Sequence, residues 1–289
     1  MSSMQVVLSG LVFGESPRWM PDGRLWVADW GTREIVSVDA KKERNVEVKL
    51  PFPTFQPICF DALPDGDVVI VSASDKQLLR HRPGGDDDTL TVYADLKHIP
   101  GGGFNEIVVD GRGNAYVNGA GFNLMAGEPF KPGVIALVTP DGRARVVADE
   151  VAFPNGMAVT GDNSTLIVAD SYGKHLLAFD IAPDGTLSHR RVWADLGDGV
   201  PDGICMDADG AVWYADVPNK RCTRVREGGE VLQRVDLPAG AFACMLGGDD
   251  GKTLFIVIRE WRGLQSAADP TPSGQVLAIR VSSPGQWMS

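Results

Sequence analysis

The sequence predicts an all-β fold, a six-bladed β-propeller that forms a single domain over residues 1–289. A short unit recurs along the chain, in which a Gly/Asp turn precedes a run of apolar and β-branched residues. Its copies lie about 40–50 residues apart, a period typical of propeller blades. The last repeat lacks an outer strand, and the start of the chain offers one. The six copies begin at residues 21, 64, 110, 161, 207 and 250.

Each repeat divides into four short strands, because apolar and polar residues alternate over short runs between turn residues. The innermost strands are predicted at 16–19, 58–63, 107–110, 157–160, 204–207 and 245–247. The units above form the second strands. Third strands are predicted at 35–39, 78–81, 134–139, 175–181, 221–226 and 275–281, and fourth strands at 46–50, 90–95, 144–148, 189–195 and 231–237. No helix of appreciable length is predicted.

The ring of blades is expected to close through the two ends of the chain. No fourth strand follows the third strand at 275–281, whereas an unassigned strand, Gln5–Leu11, precedes the first blade. Pairing these two segments would complete the last blade and remove two exposed sheet edges. The sequence therefore predicts that the N-terminal strand closes the sixth blade.

Two long connections interrupt the repeat, at residues 119–132 and 260–273. Both join a second strand to a third strand, so both return to the face of the propeller at which the innermost strands begin. Long ordered loops in compact folds are often functional, and we expect these two to overhang the channel mouth as lids. The alternative is that they are tolerated surface insertions.

The overall charge argues against nucleic acid and anionic membranes as partners. The net charge is −11, the isoelectric point is about 4.8, and no run of Lys or Arg forms the basic patch of a nucleic-acid binder. No segment approaches the roughly 20 apolar residues of a membrane span, and the N-terminus lacks the features of a signal peptide. We therefore expect a soluble cytoplasmic protein, either a monomer or a weak homo-oligomer.

The cysteines are expected to be buried, reduced thiols. None forms a CxxC pair, and three of the four lie in apolar runs that read as strands. A disulfide framework is the less favoured interpretation. The four residues are Cys59, Cys205, Cys222 and Cys244.

A ring of polar residues emerges when the innermost strands are aligned by their apolar cores. One position, just before each predicted strand, converges on the propeller axis, and five of its six residues can offer an oxygen. Convergent carboxylate and amide oxygens suit one hard divalent cation, with Ca²⁺ favoured, Mg²⁺ and Mn²⁺ as alternatives and Zn²⁺ as second choice. The alternative is that these residues only cap turns. The six residues are Glu15, Gln56, Asn105, Asn155, Asp202 and Ala243.

Four stretches resemble the senescence marker protein-30/gluconolactonase/luciferin-regenerating enzyme family. They are GESPRW, FPNGMAVT, VADSYGKHLLAFD and PDGICMDADGAVWYAD. The resemblance covers almost the whole chain and implies a six-bladed propeller with a divalent metal, most often a lactone hydrolase. It implies that Glu15, Asn155 and Asp202 are metal ligands and that Asn105 contacts the substrate. The repeat register selects the same four residues.

The sequence departs from the sugar lactonases of that family beside Asn105. Those members often carry Arg two residues before this Asn and Asp directly after it, whereas this chain has Gly103 and Glu106. Without the Arg, the site lacks a donor fork for a polyhydroxylated substrate. Phe104, together with Phe122 and Met125 on the first long loop, is expected to make the wall roomier and more apolar. We therefore expect these residues to bind a substrate less polar than a sugar lactone, unless Arg18, Arg33 or Lys174 replaces the missing Arg.

The resemblance implies a metal-dependent lactonase, a carboxylic ester hydrolase acting on a small-molecule lactone or ester. The cation would polarise the carbonyl, Asp202 would orient or deprotonate the attacking water, and Asn105 would hold the carbonyl or ring oxygen. One alternative is an organophosphate or phosphotriester hydrolase of the diisopropylfluorophosphatase type. Another is a non-catalytic propeller that binds a metabolite or calcium.

Overall fold

Six four-stranded antiparallel sheets form the blades of a β-propeller in the computed structural model, which describes residues 4–39, 41–84 and 90–286. Five blades consist of consecutive strands, each running from the axis outward in chain order. The sixth has the order β1-β24-β23-β22, so its outermost strand comes from the start of the chain. The predicted six-bladed architecture is confirmed.

The strands are short and follow one another without α-helices. One 3₁₀ turn, Leu264–Ser266, occurs within the described ranges, and no helix there is long and apolar enough to cross a bilayer. The first three blades contain β2 (Gly14–Trp19), β3 (Leu25–Asp29), β4 (Glu34–Val38), β5 (Arg44–Lys49), β6 (Phe60–Ala62), β7 (Val68–Ser72), β8 (Gln77–His81), β9 (Thr91–Asp95), β10 (Ile107–Val109), β11 (Ala115–Gly119), β12 (Gly133–Val138) and β13 (Ala144–Val151). The other three contain β14 (Pro154–Val159), β15 (Thr165–Asp170), β16 (His175–Ile181), β17 (Leu187–Asp195), β18 (Pro201–Met206), β19 (Val212–Asp216), β20 (Arg221–Val225), β21 (Val231–Asp236), β22 (Gly240–Gly247), β23 (Thr253–Arg259), β24 (Gly274–Arg280) and β1 (Gln5–Leu11).

The turn between the first and second strand of a blade explains the recurring Asp and Gly. In the third blade the carboxylate of Asp110 accepts hydrogen bonds from the backbone amides of Arg112 and Asn114. Gly113 adopts a φ of 82°, which a residue with a side chain rarely reaches. The aspartate satisfies the turn amides and the glycine supplies the reversal, so each unit begins with a tight turn.

The N-terminal strand closes the ring, as predicted. β1 pairs antiparallel with β24, and Leu11 lies opposite Gly274. Leu11 is fully buried between the sixth blade, where it packs near Val257 and Val276, and the first blade, where it packs near Val27. This side chain therefore joins the first and last blades through hydrophobic contact as well as strand pairing.

The apolar cores lie between neighbouring blades, where the two faces of each central strand are buried. All four cysteines are free and buried, which confirms the sequence interpretation. Three of them, Cys205, Cys222 and Cys244, pack between the fifth and sixth blades, with the Sγ atoms of Cys205 and Cys244 separated by 3.8 Å.

The innermost strands of four blades begin earlier than predicted. The sequence places their starts at residues 16, 157, 204 and 245, whereas β2, β14, β18 and β22 begin at Gly14, Pro154, Pro201 and Gly240. Glu15, Asn155 and Asp202 therefore lie inside the first three of these strands rather than before them. The difference arises because the prediction followed the apolar core of each strand, while backbone pairing continues through the residues that precede it.

Replacing Leu11 with Ala tests the closure. We expect Leu11→Ala to lower the free energy of unfolding by about 2–5 kcal/mol, because a large side chain is removed from a filled space between two blades. Val6→Ala on the same strand is the matched control, since Val6 is exposed and its loss is expected to cost less than about 0.5 kcal/mol. Chemical denaturation measures both values, and equal effects of the two substitutions would contradict a specific closure by Leu11.

Candidate functional site

The polar residues selected by the repeat register converge at one end of the channel, on the face where the inner strands begin, here called the upper face. A small cavity on the axis is lined by residues from five blades, among them Ser16, Glu106, Gly156, Gly203 and Ala243. Glu15, Asn155 and Asp202 are the sequence neighbours of three of these. The side chain of Asn118 also donates a hydrogen bond of 2.6 Å to the carbonyl oxygen of Asn155.

Bulges in the inner strands aim the three predicted metal ligands. The pairing register shifts between Glu15 and Arg18, between Pro154 and Met157, and between Pro201 and Ile204. A bulge leaves residues unpaired and redirects their side chains, and bulges are common beside active sites. The inner strands of the second and third blades are shorter and have no such shift in their pairing with β7 and β11. The three blades with the predicted ligands thus share a local backbone feature, which the sixth blade also has, between Ala241 and Ala243.

The glycines of the "NG" and "DG" pairs allow these strands to approach one another. A Cβ atom on Gly156 would lie 2.5 Å from the carbonyl oxygen of Asp202, and one on Gly203 would lie 2.6 Å from the Cα of Ala243. No real Cβ tolerates such contacts with backbone, so both positions require glycine. In the first blade the corresponding residue is Ser16, which has a φ of 50°. Its hydroxyl both accepts from the amide and donates to the carbonyl of Phe60, which holds it in that conformation.

Three buried aspartates, here called the latch aspartates, fix the chain just before the predicted ligands. They end the second strands of the same three blades and are Asp29, Asp170 and Asp216. The carboxylate of Asp29 accepts hydrogen bonds of 3.0 Å from the amides of Val12 and Phe13.

The other two latch aspartates make the equivalent contacts. Asp170 accepts hydrogen bonds from the amides of Ala152 and Phe153, and Asp216 accepts one of 3.4 Å from the amide of Val200. These aspartates had no predicted role, although "AD" ends the second strand in only these three repeats. That pattern was the available signal.

The buried carboxylates repel one another. Burial, and then the negative charges of Asp202 and Glu106, raise the pKa of Glu15 well above its usual value. The pKa of Asp202 is raised well above its usual value by burial and by Glu106, against a hydrogen bond from Asn155 that lowers it. Burial also raises the pKa of Glu106, although Arg18 and the Cys59 thiol oppose this. Without a counter-charge, ionised forms of these groups are costly in the folded protein.

The oxygen atoms available at the site fit a hard cation. The Oδ1 atoms of Asn105 and Asn118 are buried without a hydrogen-bond partner, and Asn105 makes no side-chain hydrogen bond to any other described residue. Unpaired buried acceptors beside repelling carboxylates are the arrangement that a divalent cation would relieve. In residues 4–39, 41–84 and 90–286, no three His, Cys, Asp or Glu side chains are placed to share a metal. The fit therefore depends on two carboxylates together with amide oxygens.

The second blade contributes less than the register suggested. The Oε1 atom of Gln56 accepts a hydrogen bond of 2.7 Å from the amide of Ser74, so this oxygen is already used within its blade. Ala243 has no polar group. The side-chain oxygens that remain available as metal ligands at the axis come from the first, third, fourth and fifth blades.

Glu106 and Arg18 lie behind the predicted ligands, deeper in the channel. The Glu106 carboxylate accepts a hydrogen bond of 3.2 Å from the Cys59 thiol and lines the small axial cavity. Arg18 lines the same cavity and donates to Asp61 and to the carbonyl oxygen of Ile107. These bonds direct the Arg18 guanidinium away from the upper mouth.

The remaining predicted substrate-binding residues occupy three different environments. Phe104 is buried in the core between the second and third blades, so the structure does not bring its ring to the mouth. Gly103 has a φ of 141°, a conformation that residues with side chains rarely adopt. Phe122 is buried within the first long loop, and Met125 on the same loop is 57% exposed.

The second long loop is tied to the first blade by Arg259. Its buried guanidinium donates hydrogen bonds of 2.9–3.0 Å to the carbonyl oxygens of Ser266, Ala267 and Asp269 and lies 4.6 Å from the ring centre of Phe13. Phe13 is two residues before Glu15. The loop is thus anchored beside the axial site, and its action as a lid stays a prediction.

A second, larger cavity lies away from this site. A space of about 760 Å³ opens at the opposite end of the channel, among residues such as Trp19, Leu63, Met206 and Leu246 at the lower ends of the inner strands. Arg18 lies on the boundary between this space and the small axial cavity. The buried carboxylates with raised pKa values and the unpaired oxygens of Asn105 and Asn118 belong to the axial site, which is why we assign the chemistry there.

Comparison with known proteins supports a family assignment. A sequence model described as "SMP-30/Gluconolactonase/LRE-like region" matches residues 13–259. A 6-deoxy-6-sulfogluconolactonase of Pseudomonas putida is 28% identical over 97% of this chain and 95% of its own. A regucalcin of Xenopus laevis is 28% identical over 87% and 84%. The crystal structure of a calcium-binding regucalcin from Agrobacterium tumefaciens superimposes with a TM-score of 0.81 at 20% identity, over 98% and 95% of the two chains.

Glu15→Gln in protein stripped of divalent cations tests the cost of the buried carboxylates. Because the folded-state pKa of Glu15 is raised, its contribution to stability is fully present below the unfolded value near 4.5 and is lost as the pH rises through the folded pKa. We expect the variant to melt above wild type at about pH 8, by roughly 2–4 °C for each kcal/mol relieved, and to lose this advantage near pH 4.

Differential scanning fluorimetry in chelator measures this difference. Glu227→Gln is the control, because Glu227 is exposed, and we expect it to melt like wild type at both pH values. A Glu15→Gln effect that is the same at high and low pH would contradict the predicted cost.

Proposed function

The chain belongs to the SMP-30/gluconolactonase/LRE-like family, and from this premise we propose that it is a metal-dependent hydrolase that opens a lactone. One observation carries the proposal: Glu15, Asn155 and Asp202 all lie at bulges of inner strands that meet at the upper end of the channel. The Pseudomonas putida lactonase, which aligns over nearly the whole chain, supports the same reaction class.

We propose that Glu15, Asn155 and Asp202 hold one divalent cation, with Ca²⁺ the first candidate and Mg²⁺, Mn²⁺ or Zn²⁺ as alternatives. Two carboxylates and an amide provide oxygen ligands of the type that Ca²⁺ prefers. The calcium-binding regucalcin shares this fold, which is consistent with the choice. When bound, the cation polarises the lactone carbonyl and stabilises the negative charge that develops on its oxygen.

Asp202 is the residue proposed to move the proton. It is partly exposed, whereas Glu15 is almost fully buried, so water from the mouth reaches the Asp202 carboxylate more readily. The carboxylate accepts a proton from water as the water oxygen forms its bond to the acyl carbon. The bond from the acyl carbon to the ring oxygen then breaks, and Asp202 returns the proton to the departing alcohol oxygen. Positioned proton transfer of this kind contributes about 10²–10⁴ in rate.

Asn105 is proposed to orient the lactone. Its side chain makes no hydrogen bond to the rest of the described chain and is partly exposed, so it is available for a ligand. The amide NH₂ donates to the carbonyl or ring oxygen of the substrate and holds the acyl carbon near the water on Asp202. A fixed donor at the oxygen that gains charge stabilises the transition state more than the ground state.

The substrate is proposed to be less polar than a sugar lactone. An arginine at position 103 would be strained, because Gly103 has a backbone conformation that residues with side chains rarely adopt. Arg18 does not replace it, since its guanidinium points into the channel behind the site. We also propose that the substrate contacts Phe122, Met125 and Glu106. Gly103 and Phe104 would act indirectly, by shaping the segment that carries Asn105. Monomeric or weakly oligomeric state and cytoplasmic location also stay predictions.

Calcium binding tests the proposed ligands. A ligand that binds only the folded state at a hundredfold excess over its Kd stabilises that state by about 2.7 kcal/mol, so Ca²⁺ should raise the melting temperature of wild type. We expect Glu15→Gln and Asp202→Asn to weaken Ca²⁺ binding at least tenfold and to lose most of this shift. Isothermal titration calorimetry gives the affinities, with Glu227→Gln as an exposed control. Unchanged affinity in both ligand variants would show that the cation site is assigned wrongly.

Lactone hydrolysis in a pH-stat tests the reaction and its selectivity. We expect wild type to open dihydrocoumarin with a higher kcat/KM than gluconolactone, and chelator to abolish both activities. Gly103→Arg should shift the ratio toward gluconolactone relative to Gly103→Ala, which carries the same backbone strain without the guanidinium. A tenfold preference of wild type for gluconolactone would refute the apolar proposal. Calcium binding without turnover of any lactone would instead favour the alternative of a non-catalytic binding propeller.

A further inference from the structure

The exposed large apolar side chains of the described chain fall into two groups. Six are valines, one on the outermost strand of each blade, and this regular spacing is ordinary for a propeller rim. The other four lie on connections at the upper face. The first group is Val6, Val46, Val92, Val146, Val192 and Val231, and the second is Met125, Phe130, Tyr172 and Leu264.

Two members of the second group belong to a closed cluster of four aromatic rings, here called the rim cluster. Phe130 and Tyr172 lie 6.0 Å apart between ring centres, and Tyr172 stacks on Phe153 at 4.6 Å. Phe122 completes the cluster through contacts of 5.7 Å with Phe130 and 6.2 Å with Phe153. The cluster joins the first long loop to the fourth blade.

The rim cluster is anchored directly beside a predicted metal ligand. The amide of Phe153 donates to the latch aspartate Asp170, and the carbonyl of Phe153 accepts from the amide of Ser171. The hydroxyl of Ser171 accepts a hydrogen bond of 3.3 Å from the side chain of Asn155. Tyr172 follows Ser171 in the chain, so the same contacts position both Asn155 and the aromatic rings.

The outer half of the cluster is exposed although its inner half is packed. Phe122 is only 5% exposed, whereas Phe130 is 55% and Tyr172 is 50% exposed. Contiguous exposed aromatic surface on a soluble protein marks a binding site more often than chance packing. Rigid rings that already stack on a buried base also lose little conformational entropy when a ligand covers them.

We propose that Phe130 and Tyr172 bind an aromatic or similarly flat apolar group of the substrate, so that the preferred substrate is a lactone fused or attached to an aryl ring. This inference rests on the proposed lactonase function and names the substrate class. Aromatic rings offer stacking surface but few hydrogen-bond donors, which suits an aryl group and not a polyhydroxylated sugar. Tyr172 and Phe130 are thus specificity-determining residues.

A pair of lactones separates this role from general effects on catalysis. Dihydrocoumarin and δ-valerolactone both contain a six-membered lactone, and only the first carries a fused benzene ring. We expect Tyr172→Ala and Phe130→Ala each to lower kcat/KM for dihydrocoumarin about three- to tenfold, the range of an aromatic contact, and to change δ-valerolactone less than about twofold. Tyr172→Phe should retain the wild-type ratio. Val192→Ala, which removes an equally exposed side chain from an outer strand, should change neither substrate.

A binding measurement makes the test independent of turnover. Chroman has the fused ring system of dihydrocoumarin without the carbonyl, so it cannot be hydrolysed. Ligand-observed NMR should detect chroman binding to wild type and its loss in Tyr172→Ala, whereas tetrahydropyran should bind neither protein. This result would support aryl binding by the rim cluster even if no lactone were opened. Failure to open any lactone would overturn the proposed function alone. Equal losses for both lactones, unchanged selectivity, or no chroman binding to wild type would overturn the inference.

Discussion

The candidate site depends on the three latch aspartates that end the second strands of the first, fourth and fifth blades. Each is almost fully buried and accepts at least one hydrogen bond from a backbone amide just before a predicted ligand. Asp216 also accepts from the side chains of Asn219 and Arg221. Charge-assisted hydrogen bonds of this kind are stronger than neutral ones and fix the entry of the chain into the inner strand. The bulges that follow then aim Glu15, Asn155 and Asp202 at the axis. The blades that lack a latch aspartate also lack a proposed metal ligand.

The arrangement carries an electrostatic cost that the rest of the fold must support. Burial raises the pKa of Glu15, Asp202 and Glu106, and the charge of Glu106 raises the pKa of the other two further. Arg18 provides only partial compensation because it is also paired with Asp61. Buried groups in such conflict are typical of functional sites rather than of structures optimised for stability. The extensive apolar packing between blades supplies the stability that allows this local conflict to persist.

The sequence predicted the architecture and which residues share one position of the repeat, because both follow from the repeat itself. Equivalent positions of a repeat occupy equivalent heights in a propeller, so aligning the inner strands was enough to group Glu15 with Asn155 and Asp202. Side-chain packing within one repeat is not given by that symmetry. Phe104 therefore turned out to fill a core between blades, and Gln56 uses its oxygen on Ser74.

The rim cluster could be predicted only in part from the sequence, for the same reason. Phe122 and Met125 attracted attention in a long loop, but Tyr172 sits in an ordinary turn, and only the fold shows that Phe130 and Phe153 reach it.

Anomalous diffraction from crystals grown with Ca²⁺ tests the central claim most directly, because it locates the cation without reference to activity. The account predicts one strong peak on the propeller axis, about 2.3–2.6 Å from carboxylate oxygens of Glu15 and Asp202 and from the side-chain oxygen of Asn155. The absence of a peak at these residues, or calcium found only at surface carboxylates, would contradict it.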